Sequence, residues 1–217
     1  MTTLSSKPFV FIAGVEGSGT TMMMQLLGSL EHVCCLHGSH FSPGMEQQAK
    51  DIKALTAELW QYPSIHDLKT RNSLISRINA IRIPESVSHV VYKRSYPFTD
   101  QNHYPNLSDV REIGNGSVIV GMTRSFVDNV CSIIRRQFES DLTSATHRIA
   151  MAYEILTRQL LDSDQIASVV NYSELADENH RDGVISNLEE LLGLNPGSLL
   201  EYRDLIKAPT AAGYRKL

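Results

Sequence analysis

The sequence predicts an α/β fold with three layers, α/β/α, around a central parallel sheet. Three observations support this. Short β-rich apolar runs alternate with longer segments whose apolar residues recur at helical spacing, a pattern that builds parallel sheets through right-handed crossovers. The first run ends in a glycine-rich turn that opens straight into a helical segment. The third run ends in an arginine followed at once by another helical segment.

Taken in order, residues 8–14 (PFVFIAG) read as a short, fully buried strand. GVEGSGTT leads from it into MMMQLLGSL, a helix whose methionines fill irregular gaps in packing. Residues 32–44 hold Gly, Ser, Pro and three His and read as a loop. Residues 46–61 place Ala49, Ile52, Leu55 and Leu59 on one helical face, and residues 65–83 repeat that periodicity. HVVYK, residues 89–93, is a second strand. Residues 95–112 read as a loop broken by Pro97, Asn102, Pro105 and Asn106. SVIVGMTR, residues 117–124, is a third strand. The helix after it starts at a Ser125/Asp128 capping box and carries a stripe of Phe126, Val130, Ile133, Ile134 and Phe138. Residues 144–161 form a further helix, with Ile149, Ala152, Tyr153, Leu156 and Leu160 on one face. IASVVNY, residues 166–172, is a fourth strand. Residues 183–192 close the pattern as a helix with Gly193 at its C′ position.

The chain has 217 residues, which predicts a single domain spanning 1–217 with variable loops at about 36–82 and 95–116. Hydrophobic residues at 42% and charged residues at 20% exclude a disordered chain, a collagen-like chain and a coiled coil. The formal charge of −4 gives no global field for nucleic acid or an anionic membrane, so any anion must be held by a local site. The three cysteines, two of them vicinal, form neither a CxxC pair nor a Cys/His cluster, which favours a reducing compartment. The N-terminal apolar run is too short for a secretory signal, and no 18-residue apolar stretch occurs. The expectation is a soluble cytoplasmic protein. Oligomeric state is not readable from these features.

Gly14–Thr21 is the most informative stretch. Glycines between a strand and a helix let backbone N–H groups converge on an anion, and the helix N-terminus adds a positive dipole end. The spacing matches the nucleotide-kinase loop G-x-x-x-x-G-K-[ST], except that Thr20 stands where the Lys belongs. That Lys clamps the β- and γ-phosphates, so its absence argues against ATP hydrolysis. A bare strand–helix turn needs no hydroxyls, whereas Ser18, Thr20 and Thr21 supply three.

GSGTT after a strand resembles the 5′-phosphosulfate loop of the sulfotransferases, which use 3′-phosphoadenosine-5′-phosphosulfate (PAPS). MTRSFVDNVCS resembles that family's 3′-phosphate motif, an Arg at a strand end and a Ser eight residues on, here Arg124 and Ser132. VVNYSELADENHRDGVISNLEELLGL is similar to the family's strand–Tyr–acidic–Leu segment, which puts Tyr172 near the adenine. YKRSYPF resembles the Lys-x-His-x-Pro segment of the cytosolic members at Lys93 and Pro97, and GYRKL resembles the basic segment that covers the 3′-phosphate through Arg215 and Lys216. Two positions depart from the family. Gly17 stands where its loop usually carries Lys or Arg, and Ser95 stands where the cytosolic members carry a catalytic His.

The resemblance implies the P-loop-containing nucleoside triphosphate hydrolase-like fold in its sulfotransferase form, and sulfuryl transfer by in-line displacement without a metal. It assigns the 5′-phosphate to Gly17, Ser18, Gly19, Thr20 and Thr21. The 3′-phosphate falls to Arg124 and Ser132, and the bridging oxygen to Lys93. A base must take the acceptor's proton. His37 is the first choice, because the tyrosylprotein branch places a catalytic Glu in that loop; His40, His103 and Asp100 stand behind it. The implied partner is a small-molecule or carbohydrate acceptor with a hydroxyl or amine. Bland readings stay open: Arg124 paired to Asp128, Lys93 as a surface side chain, Glu16 pointing away from the donor or serving the acceptor, and Arg135–Arg136 as a solvated helix face. Two rival functions also stay open, a P-loop kinase with a displaced lysine such as Lys93 and a non-catalytic nucleotide-binding protein of the same fold.

Overall fold

A computed structural model describes residues 1–37, 40–61, 67–97, 104–162 and 167–206. Its main sheet has six strands in the order β4-β3-β6-β2-β7-β8. These are β2 (Phe9–Val15), β3 (Val33–His37), β4 (His40–Phe41), β6 (His89–Tyr96), β7 (Ser117–Thr123) and β8 (Ala167–Asn171). All neighbours pair in parallel except β3 with β4. Two short strands, β1 (Thr2–Thr3) and β5 (Arg82–Ile83), form a separate antiparallel pair.

β2 lies in the middle and is buried along its whole length, which is why it is apolar without alternation. Phe9, Phe11, Ala13 and Val15 face one side, and Val10 and Ile12 face the other. The first face packs against α2 (Glu46–Leu59), α3 (Leu68–Asn79), α5 (Phe126–Arg135) and α6 (Leu142–Leu161). The second packs against α1 (Thr20–Gly28), α7 (Tyr172–Ala176) and α8 (Glu178–Leu192). The three-layer α/β/α architecture with a mainly parallel sheet is therefore the predicted one. The chain leaves β2 toward β3 through α1 on one face, and returns from β7 to β8 through α5 and α6 on the other. The carboxyl end of β2 is thus a topological switch point, where open sheets of this type leave a crevice.

Several expectations need correction. Residues 32–44 contain β3 and β4 rather than a loop. VCCLH has one β-branched residue and two His beside it, yet Val33, Cys34 and Cys35 pair with His89, Val90 and Val91 and are buried. Tertiary pairing overrides weak local preference there. The second strand runs three residues further than HVVYK, to Tyr96, because Tyr96 is fully buried beneath α6 and its hydroxyl donates to Gln159 Oε1 at 3.0 Å. Residues 95–112 also hold a short helix, α4 (Leu107–Val110), capped by the Asn106 side chain. Its buried Asp109 carboxylate accepts from Trp60 Nε1 at 3.0 Å and pairs with Arg71 at 2.6 Å. The helix predicted over 65–83 ends at Asn79, and Arg82–Ile83 is β5. Gly193 caps α8 with φ 61°, as expected.

The predicted Ser125/Asp128 capping box does not form: Ser125 is the N-cap of α5, but its side chain makes no capping bond. The end of that helix also differs. Gln137 N–H reaches Ile134 O at 2.9 Å and Phe138 N–H reaches Ile133 O at 3.0 Å, a Schellman closure with Gln137 at φ 59°. Phe138 therefore leaves the helix stripe and is 47% exposed. A glutamine in that left-handed position is strained. Gln137→Gly is expected to stabilise the protein by about 0.5–1 kcal/mol, read as a rise in Tm of roughly 1–4 °C. An unchanged or lowered Tm would show that the glutamine side chain offsets the backbone cost.

Among the described residues no helix is long and apolar enough to cross a membrane.

Candidate active site

The carboxyl ends of β2, β6 and β7 and the head of α1 enclose a cleft of about 480 Å³. Between β2 and α1, the turn closes with Ser18 N–H donating to Val15 O at 3.0 Å. Gly17 at φ 87° and Gly19 at φ 94° adopt the left-handed backbone that turns the loop back on itself. A Cβ on Gly17 would lie 2.9 Å from the Ser132 Cβ, and one on Gly19 would lie 2.4 Å from the Tyr172 ring. Glycine is required at both places by contact as well as by φ. Thr20 begins α1, so the first N–H groups of that helix have no acceptor within it and point toward the cleft mouth. Ser18 Oγ is buried and takes no hydrogen bond among the described residues.

Two neighbouring strand ends supply the rest. Lys93 and Arg94 come from β6 and both line the cleft, 8% and 4% exposed. Arg94 is held by Lys53 O and Thr56 Oγ1, each at 3.1 Å, with its guanidinium 5.2 Å from the centre of the Tyr92 ring. Burial, followed by the charges of Arg94 and Arg136, presses the Lys93 ammonium down to about 8, while Glu16 works in the opposite direction. Arg124 follows β7. Its backbone carbonyl accepts from the Tyr153 hydroxyl at 2.6 Å, and that hydroxyl also accepts from Asn129 Nδ2 at 2.8 Å. Its guanidinium donates to Gly17 O at 3.2 Å, approaches Asp128 at 3.4 Å, and lies 5.0 Å from the centre of the Tyr172 ring. The pairing with Asp128 open in the sequence is therefore present, but it does not turn the arginine away, since Arg124 also forms part of the cleft wall.

Of the expected site residues, Gly17, Gly19, Thr20, Thr21, His37, Lys93, Arg124 and Tyr172 all line this cleft. Ser132 lies behind Gly17, 2% exposed, and limits what position 17 can carry. Ser18 is buried within the loop itself. His40 is exposed on the hairpin opposite His37. Asp100, His103, Arg215 and Lys216 lie outside the described residues.

Sequence reasoning missed three groups. Arg136, read as a solvated face, joins the wall with Phe138, because the Schellman closure bends the chain there. Arg148, on α6, pairs with Glu16 at 2.8 Å and with Glu139 at 2.9 Å. Tyr153, read as core, tethers Arg124. Arg148 and Glu16 are 132 residues apart and share no motif. The one available signal was the anomalous acid beside an anion loop.

The arrangement defines a phosphate-loop α/β protein: a glycine nest at a helix head, with cations from the two adjoining strands. A model of the sulfotransferase family matches residues 8–195, and the chain belongs to that family. No curated protein matches the sequence. Among solved structures, the chain is similar in fold to the sulfotransferase domain of the Synechococcus olefin synthase, with 15% identity, 90% of this chain and 77% of that one covered, and a TM-score of 0.55. It is also similar to a mouse sulfotransferase complexed with PAP, with 9% identity, 98% and 66% coverage, and a TM-score of 0.51.

Proposed function

We propose that this chain transfers a sulfuryl group from PAPS to a hydroxyl or amine of a small-molecule or carbohydrate acceptor. The observation that carries this reading is that the glycine nest, Lys93 and the Arg124–Tyr172 pair line one cleft. The residues present suit an anionic nucleotide. The glycine cradle has no room for side chains, Ser18 Oγ is buried beside it with no partner among the described residues, and cations stand on two sides.

In this reading the N–H groups from Gly17 to Thr21 hold the 5′-phosphate, with the Thr20 and Thr21 hydroxyls beside them. Tyr172 offers its ring to the adenine, and Arg124 holds the 3′-phosphate. Ser132 backs the loop. When bound, the donor supplies a sulfuryl group whose departure leaves negative charge on the bridging oxygen. Lys93 stabilises that charge in place of the loop cation that position 17 has no room for. His37 lines the same cleft as a neutral imidazole, because burial and the surrounding cations press it down to about 3.

Isothermal titration of the full chain with PAP (adenosine 3′,5′-bisphosphate), without Mg²⁺, is the direct test, and binding is expected. Arg124→Ala is expected to weaken PAP by about 10–150-fold, which corresponds to about 1.5–3 kcal/mol for a charge-assisted bond. It should affect AMP far less. No heat at millimolar PAP, or equal losses for PAP and AMP, would sink the assignment. Mg²⁺-dependent ATP binding that ignores the 3′-phosphate would favour the kinase reading instead.

A further inference from the structure

One charged side chain in the cleft has no part in gripping the donor. Glu16 lies between the end of β2 and Gly17, in the cleft wall. Its charge interacts with that of Lys93, and that of Lys93 with His37, and all three line the cleft. Tyr172 and Arg124 flank Gly19 and Gly17 in the same cleft. A carboxylate beside an anion nest would repel the donor if nothing compensated it. Arg148 does so from α6, and its two hydrogen bonds to Glu16, from Nε at 3.1 Å and Nη2 at 2.8 Å, both land on Oε2. Its Nη1 is anchored by Glu139 at 2.9 Å. An arginine–carboxylate fork ordinarily uses both oxygens. Here Oε1 takes no hydrogen bond among the described residues.

We propose that Glu16 is the general base of the transfer, with Oε1 accepting the acceptor's proton and Arg148 acting as a positioning residue through Oε2. This rests on the sulfuryl-transfer reading. As a lone pair on the acceptor oxygen or nitrogen bonds to sulfur, the bridging S–O bond breaks. Its electron pair leaves on the 5′-phosphate, and the acceptor proton passes to Oε1. The facing charges suit this task. Burial raises the Glu16 carboxyl above the usual carboxylate range even though Arg148 on α6, Arg136 after α5 and Lys93 on β6 all lower it. His37, at about 3, is the weaker base.

The test uses the full chain, PAP as the binding probe, and sulfuryl transfer from PAPS, read as the PAP released, between pH 4 and 9 with water or phenol as acceptor. Glu16→Gln is expected to slow release by about 10²-fold or more and to abolish the acid limb, while PAP affinity stays within about threefold. Arg148→Met removes the strongest group favouring the carboxylate, so the acid limb should move to higher pH; a merely structural role would lower the whole profile without moving it. Glu16→Asp, which retains the carboxylate, should keep more activity than Glu16→Gln. The proposal is overturned if Glu16→Gln keeps its rate and acid limb, or if His37→Gln removes that limb. It also falls if the wild-type chain binds PAP yet turns over no PAPS with either acceptor. A wild-type chain that fails to bind PAP sinks the donor reading itself, so the two failures are distinct.

Discussion

Lys93→Met is expected to cut turnover by about two to three orders of magnitude while weakening PAP by much less. That range is typical when a single group stabilising transition-state charge is removed. Met keeps most of the stem and deletes the ammonium alone. Lys93 is buried beside Arg94 and Arg136, and its ammonium is pressed from 10.5 down to about 8. The folded state therefore binds the proton less well than the unfolded chain does. This destabilising contribution is fully present below pH 8 and fades as pH rises from about 8 toward 10.5. Removing the charge should therefore leave Tm at neutral pH unchanged or higher, even as turnover collapses. The rate should follow the protonated lysine, so kcat/KM of the wild type should fall on the alkaline side near pH 8, and that limb should vanish in Lys93→Met. Loss of turnover together with a lowered Tm, or a profile whose alkaline limb survives, would return Lys93 to a structural role.

The parts legible in the sequence were those whose cause is local. A run such as FVFIAG can only be central, and glycines before TT leave a helix head open. MTR ends a strand with its arginine at the carboxyl end of the sheet, where ligands sit. The parts that were not legible depend on partners far along the chain. β3 is a strand because β6 pairs with it. Arg136 and Phe138 reach the cleft because a glutamine accepts a left-handed backbone that glycine usually takes. Glu16 looked misplaced until Arg148, on a distant helix, was seen to hold it. Gly17 raised a related puzzle, a glycine where a loop cation was expected. Ser132 explains it, because a Cβ at position 17 would press on that side chain at 2.9 Å. The local pattern thus located the anion site, while tertiary pairing set the charge balance around it.

Gly19→Ala should be the most damaging conservative change in the nest, because it perturbs two features at once. The backbone at φ 94° disfavours any Cβ, and the added methyl would meet Tyr172 Cδ2 at 2.4 Å. The ring cannot retreat freely, because the Arg124 guanidinium lies 5.0 Å from its centre and is itself bonded to Gly17 O. Moving the ring therefore disturbs the adenine platform, the 3′-phosphate clamp and the loop carbonyl together. A loss of about 1–3 kcal/mol in stability is expected from strain and overpacking, with PAP affinity reduced by about 100-fold or more. Gly116→Ala is the control. Gly116 has a similar φ of 77° but nothing within 4 Å of an added Cβ, so it isolates the backbone cost and should leave PAP binding intact. The double variant Gly19→Ala/Tyr172→Ala removes the collision and keeps the strain. It should recover stability toward that of Gly116→Ala without recovering affinity, since the ring is gone. If Gly19→Ala binds PAP as tightly as the wild type, the nest and Tyr172 do not grip the nucleotide, and the donor must lie elsewhere in the cleft.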